Sequence, residues 1–241
     1  HIRYALRIGA HCICEKPLTL RPWNIDGLSS VSQSADKKVF TILQLRLHES
    51  VIALKRQVED QLKSDPNHIF DVELTYITSR GNWYYASWKG DEEKSGGIAT
   101  NIGVHFFDML HWIFGPLQQQ KVHARSHDRA SGVLRFKNAN VRWFLSINAA
   151  TLPEKVVQSG GRIHRSLRFD QWSFDFTEGF TELHSRSYAH ILNDKGFSER
   201  DAQPAISIVH GMRESLISPL DSEAHPLASL PQDPHPFYPL K

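Results

Sequence analysis

The sequence predicts a parallel α/β segment followed by an α+β domain with a large, mainly antiparallel open sheet. Two observations carry that expectation. Helical and strand-like periods alternate over the first 45 residues, and six strand-like runs then crowd between Phe70 and Thr177 with helices among them. Taken in order, Ile2, Ala5, Leu6 and Gly9 share helical spacing, with Gly9 as the stop. Residues 11–14 form a short β-favouring run that ends at Glu15-Lys16-Pro17, where proline removes a ladder donor. A helix over 21–36 presents Leu28, Val31 and Ala35 on one face, and a strand over 38–45 follows it. The first helix, turn, strand and charged exit read as half of a βαβ unit, and the second helix and strand give two parallel strands joined by a helix. A helix over 51–63 aligns Val51, Leu54, Val58 and Leu62 and closes at Asp65-Pro66-Asn67. Strand-like alternation recurs at 70–79, 121–126, 131–136, 140–149, 163–169 and 171–177, and helices fall at 101–114, 183–192 and 201–216. The tail over 218–241 holds six of the twelve prolines and reads as an irregular or disordered end.

Composition narrows the function. The 241 residues carry 28 Lys+Arg against 26 Asp+Glu, 40% hydrophobic and 22% charged residues. A formal charge of +2 gives no footprint for nucleic acid but leaves room for basic pockets around an anionic small molecule. Cys12 and Cys14, the only cysteines, suit neither a disulfide framework nor a zinc knuckle and read as small apolar residues. Apolar stretches fall well short of the ~20 residues of a membrane span, and no long apolar leader opens the chain. The expected compartment is the cytoplasm. The chain starts at His1 inside a helical pattern with no cap before it, so the beginning of a domain is expected upstream.

Chemistry is concentrated in two places. Glu15-Lys16-Pro17 sets a cation beside a carboxylate at a strand exit, where open α/β sheets hold ligands. Downstream, Ser95-Gly96-Gly97 leads into a helix on which Asn101, His105 and Asp108 are spaced i, i+4, i+7, a polar stripe along one face. A lone helical histidine is more often structural than functional; three aligned polar groups behind a double glycine weigh the other way. A metal site from His105, Asp108 and His111 is the lesser alternative, because the usual i, i+4 histidine pair is absent.

At these residues the sequence resembles the Gfo/Idh/MocA oxidoreductases, whose two signatures match Glu15-Lys16-Pro17 and the stretch from Gly96 to His105. Within that family it is most similar to the UDP-N-acetylglucosaminuronate 3-dehydrogenases of bacterial O-antigen synthesis. That similarity rests on residues 43–48, on Arg80 to Tyr84 with Ser87 to Gly90, on 101–108 and on 180–188. The resemblance implies that residues 1–43 are the C-terminal part of a truncated Rossmann dinucleotide-binding domain, 44–217 a substrate and oligomerisation domain, and 218–241 a tail. The family's glycine-rich phosphate loop is absent from the sequence, and Asn101 stands where many members have Asp.

The resemblance also implies roles. His105 would be the base for a secondary hydroxyl, Lys16 would supply positive charge to the oxygen, and Asn101 would orient one or the other. Glu15, Lys16, Pro17 and Gln44 fall near the cofactor, NAD with NADP left open. Arg46, Arg80, Lys89 and Tyr188 become candidates for the diphosphate, carboxylate or sugar, with Trp83 and Tyr84 able to stack on a ring. For these six a packing role is about as plausible. The expected partners are a UDP-sugar acid and further copies of the chain, as a dimer or tetramer, with no metal, nucleic acid or membrane. Two other readings stand beside this one: a family member acting on another sugar or polyol, and a non-catalytic oligomerisation module. The residues as given are expected neither to bind NAD tightly nor to turn over.

Overall fold

The computed structural model describes residues 1–170, 172–175 and 182–237, which two sheets organise. The smaller begins the chain: α1 (Ile2–Arg7), β1 (Cys12–Cys14), α2 (Pro22–Ala35) and β2 (Val39–Thr41). β1 and β2 pair in parallel, Cys12 opposite Val39 and Cys14 opposite Thr41. Pro22 opens α2 at a position where its missing N–H costs no hydrogen bond. The strand expected over 38–45 is shorter. β2 stops at Thr41, and Gln44–Leu47 coils into a 3₁₀ turn. Residues 39–46 are all buried, so the apolar run passes from strand to turn without a change of pattern.

The larger part follows as α3 (Glu49–Ser64), β3 (Phe70–Thr78), α4 (Trp83–Ala86), α5 (Glu92–Ser95), α6 (Gly97–Asn101), α7 (Val104–Phe114), β4 (Leu117–Arg125), β5 (Arg129–Phe136) and β6 (Ala139–Ser146). It continues through α8 (Glu154–Gln158), β7 (Ile163–Phe169), β8 (Trp172–Asp175), α9 (Leu183–Leu192) and α10 (Glu199–Glu214). The sheet runs β4-β5-β6-β3-β7-β8. Only β3 with β6 is parallel; the other four pairings are antiparallel, as the strand-rich pattern requires. Of the run expected at 171–177, β8 accounts for 172–175, and the remaining residues lie outside those described.

Alternation sorts the sheet into two faces. Val72, Leu74, Val141, Trp143, Leu145 and Leu167 are wholly buried on the inner face. Helix α7 packs there: Phe107 meets Trp143 edge-on at 5.2 Å and Phe106 meets Tyr76 at 4.7 Å. Burial of each such side chain stabilises by ~1.5–3 kcal/mol. The helix expected over 101–114 is broken in two, because Ile102 and Gly103 separate α6 from α7. A Cβ on Gly103 would stand 2.4 Å from the Ala99 carbonyl oxygen and 2.5 Å from Leu145 Cδ1, so the chain crosses β6 too closely for any side chain. α10 begins at Glu199, two residues earlier than expected, because Ser198 and Asp201 form a capping box in which Asp201 is the third helical residue.

Over its described residues the tail is irregular. It lacks long elements, yet it packs across the outer face of the sheet. His225 stacks on Phe144 with ring centroids 5.5 Å apart, and its Nε2 lies 2.9 Å from Thr75 Oγ1. Asp221 and Glu223 pair with Lys121, Glu223 also with Arg135, and Arg129 Nη1 donates to the Leu230 carbonyl. Burial, with Arg142 and Arg168 nearby, pushes His225 down to about 4, against the pull of Glu73. An imidazole held neutral in the fold takes a proton more readily when unfolded, so stability falls as pH drops from about 6.5 toward about 4. Urea unfolding at pH 7 and pH 5 is expected to show that loss, on the order of 1–3 kcal/mol. His225→Gln should flatten part of it; an identical slope in the variant would remove His225 as a cause.

No helix among the described residues is long and apolar enough to cross a membrane.

Candidate active site

Several parts of the chain meet at one cavity of about 180 Å³. The turn after β1 brings Lys16, whose Nζ donates to the Asn101 carbonyl at 3.1 Å. The break between α6 and α7 brings Asn101 from one helix end and His105 from the next helix start. From α4 comes Tyr84, almost wholly buried, whose hydroxyl accepts from Asn101 Nδ2 at 2.7 Å. The expected three-residue stripe is therefore two residues at this site: Asn101 and His105 line the cavity, while Asp108 turns elsewhere.

The wall is one-signed. Lys16, Arg80, Lys89 and Arg165 line it, with no aspartate or glutamate among the described lining residues. Burial lowers Lys16 to about 8, and Lys89 and Arg80 add to that against the neighbouring Glu15. Burial holds His105 well below the ordinary imidazole range, reinforced by Lys16, His184 and Arg165. Burial also raises the Tyr84 phenol, against its hydrogen bond from Asn101 and the nearby Arg80. At neutral pH the cavity thus holds an ammonium, a neutral imidazole able to accept a proton and a neutral phenol.

The other expected site residues divide. Gln44 and Arg80 are in the wall, as are Tyr84 and Lys89. Glu15 stands outside it, with Oε1 3.1 Å from His184 Nε2, and Pro17 only follows Lys16 through a cis peptide. Trp83 is half-exposed, with the Lys89 ammonium 5.6 Å from its ring centroid; Tyr188 is half-exposed on α9, away from the wall. Arg46 needs correcting. It is buried, and its Nε and Nη2 reach both Asp108 oxygens at 3.0 and 2.7 Å while Nη2 also donates to the Asp201 carbonyl. A guanidinium so engaged braces α7 and α10 and is not free to hold substrate. The same pair removes Asp108 from the metal alternative, and no cluster of three potential ligands exists among the described residues.

Sequence reasoning missed Arg165 and Tyr76. A signal existed for both: Arg165 shares its strand face with Leu167 and Phe169, and Tyr76 with Val72 and Leu74, so each puts a polar head on an apolar face. The Arg165 guanidinium lies 5.4 Å from the Tyr76 ring centroid. Gln44 bears on a cofactor. Its Oε1 is buried without a hydrogen-bond partner among the described residues, and a buried acceptor of this kind fits an amide donor from a bound nicotinamide. No glycine-rich turn follows β1, which runs directly into Glu15-Lys16-Pro17.

Comparison with known proteins fits this geometry. Residues 67–164 match the C-terminal alpha/beta domain of the oxidoreductase family called Gfo/Idh/MocA. The WlbA (WbpB) dehydrogenase from Thermus thermophilus superposes with a TM-score of 0.88 at 43% identity, over 93% of this chain and 72% of that one. It has been solved with NAD and alpha-ketoglutarate and with NAD and UDP-GlcNAcA. An uncharacterized oxidoreductase of Synechocystis sp. is 31% identical over 121 residues, and the myo-inositol 2-dehydrogenase of Thermotoga maritima 30% identical over 141. Those matches cover 48% and 53% of this chain but only 31% and 40% of the curated relatives. The class is that of chains carrying the C-terminal alpha/beta domain of an oxidoreductase family. The chain belongs to the Gfo/Idh/MocA family.

Proposed function

We propose that the chain carries the hydroxyl-oxidising site of an NAD-dependent dehydrogenase acting on the 3-hydroxyl of a UDP-linked N-acetylglucosaminuronic acid. The observation that carries this reading is a wall of four cations with no carboxylate among its described residues. A neutral polyol gains nothing from that charge, whereas a uronate carboxylate can pair with it. The Thermus thermophilus neighbour solved with NAD and UDP-GlcNAcA supports the same assignment.

NAD, when bound, supplies the acceptor for the hydride leaving the carbinol carbon. The chain's own residues do the rest. His105, neutral at physiological pH, accepts the hydroxyl proton. Lys16, fixed by the Asn101 carbonyl, presents an ammonium to the oxygen as negative charge grows there. Asn101 is itself fixed by Tyr84 and orients without adding a second negative charge. Gln44 is the residue of this chain suited to the carboxamide of the cofactor.

The titrations fix a pH profile. His105 must be neutral and Lys16 charged, so kcat/KM should hold through neutrality and fall as pH rises through about 8, where Lys16 loses its proton. A profile that keeps rising past this point would contradict the role given to Lys16. The function itself is tested by incubating the full-length protein with NAD and either the UDP-linked uronic acid or myo-inositol. NADH formation from the former alone is expected; oxidation of myo-inositol alone would favour a polyol dehydrogenase.

On the same reading residues 1–43 complete a dinucleotide-binding domain, 44–217 form the substrate domain and 218–241 its tail, and the protein assembles as a dimer or tetramer. The breadth of the six-stranded sheet supports the assembly. Light scattering of the full-length protein at micromolar concentration should find no stable monomer.

A further inference from the structure

The last described stretch of the tail reaches back toward the candidate active site. Arg129 Nη1 holds the Leu230 carbonyl at 2.9 Å. Two residues on, Gln232 Nε2 lies 3.2 Å from His127 Nδ1, and Asp233 Oδ2 accepts from Asn148 Nδ2 at 2.7 Å. Pro231, Pro234 and Pro236 stiffen the segment around these anchors, so the anchors also fix where His235 falls. Its ring meets two others edge-on, His127 with centroids 4.8 Å apart and Tyr85 at 5.1 Å. Tyr85 meets His127 in turn at 5.8 Å, and the three rings close on one another.

Tyr85 belongs to α4, next to Tyr84. That helix is a single turn, too short to be stable without its neighbours. Its buried side chain, Tyr84, is the one whose hydroxyl accepts from Asn101 Nδ2 at 2.7 Å. On the other side Tyr85 is covered by His127 and His235. A shift of α4 breaks the hydrogen bond that fixes the Asn101 amide. Neither His235 nor Tyr85 lines the active-site cavity, so any effect they have on the reaction passes through Tyr84.

We infer that residues 231–237 hold α4 in place against the active site, with His235 as a positioning residue that acts through Tyr85 and Tyr84 on Asn101. This rests on reading the cavity as the hydroxyl-oxidising site. The tail is then a working part of the enzyme as well as a cover for the outer face of the sheet.

Steady-state turnover of the UDP-linked uronic acid by the full-length protein tests the assignment. His235→Ala should lower kcat roughly three- to tenfold with KM little changed, the scale of a lost edge-to-face ring pair. Deletion of residues 231–241 should do at least as much. His235→Phe, which keeps a ring, should restore most of the rate. In a Tyr84→Phe background, where the hydroxyl is already gone, His235→Ala should cost no more than about twofold. Residues 231–234 are exposed and His235 is half-buried, so the urea midpoint should stay close to that of the unmodified protein in both tail variants. Normal kcat in both tail variants, a loss confined to KM, a loss as large with Phe as with Ala, or an undiminished loss in the Tyr84→Phe background overturns the inference. Turnover by the unmodified protein separates it from the reading beneath it. If turnover is present but indifferent to the tail, the function stands and the positioning role falls; if turnover is absent, the function falls and takes the role with it.

Discussion

Lys16→Met in the full-length protein is expected to lower turnover roughly 100-fold or more, and His105→Gln to do the same, with the fold intact. The two substitutions remove different things. Lys16 is the ammonium held against the Asn101 carbonyl, and methionine keeps its length while deleting the charge. His105 is the neutral imidazole facing the same cavity, and glutamine keeps polarity while deleting the base. Both losses should fall on kcat more than on KM, because proton acceptance and oxyanion stabilisation act on the transition state. Lys16→Met should also abolish the decline in rate near pH 8. Steady-state NADH formation checks all three expectations, and a near-normal rate in either variant would remove that residue from the chemistry.

The second large effect is on stability. Arg46→Met or Asp108→Asn is expected to cost ~3–5 kcal/mol, because each leaves the other member of a buried, bidentate pair without its partner. Only 7% and 2% of the two side chains are exposed, so water cannot replace the missing contact. Removing both charges together, as Arg46→Met with Asp108→Asn, should recover part of the loss. Denaturant unfolding of the three variants gives the cycle. A single-variant cost below ~1 kcal/mol would show that the pair braces α7 and α10 far less than its burial implies.

This pair also marks where sequence reading stops. Arg46 and Asp108 lie 62 residues apart, and neither position carries a local sign of the other. A guanidinium read from sequence looks the same whether it faces a substrate or an aspartate; only the packing of α7 against the turn after β2 decides. Lys16, Asn101 and His105 were legible because short motifs place them at a strand exit and beside a double glycine, features that local backbone chemistry enforces. Arg165 was not sought, although a cation on the apolar face of β7 was there to be read. The break at Gly103 was hidden for another reason. The glycine reads as tolerable within a helix, and its close approach to Leu145 exists only once β6 is in place. Proline content marked the tail as irregular, but His225 stacking on Phe144 depends on a sheet face the tail cannot announce.

The measurement that bears most directly on the central claim compares two substrates of the full-length protein that differ only at C6 of the sugar, a carboxylate in UDP-N-acetylglucosaminuronic acid and a neutral hydroxymethyl in UDP-N-acetylglucosamine. If Lys16, Arg80, Lys89 and Arg165 form a site for an anionic sugar, NADH should appear with the acid at a kcat/KM roughly 100-fold or more above that of its neutral counterpart, the discrimination expected of a site built to bond a charged substrate group. Equal rates with the two, or preference for the neutral sugar, would contradict it.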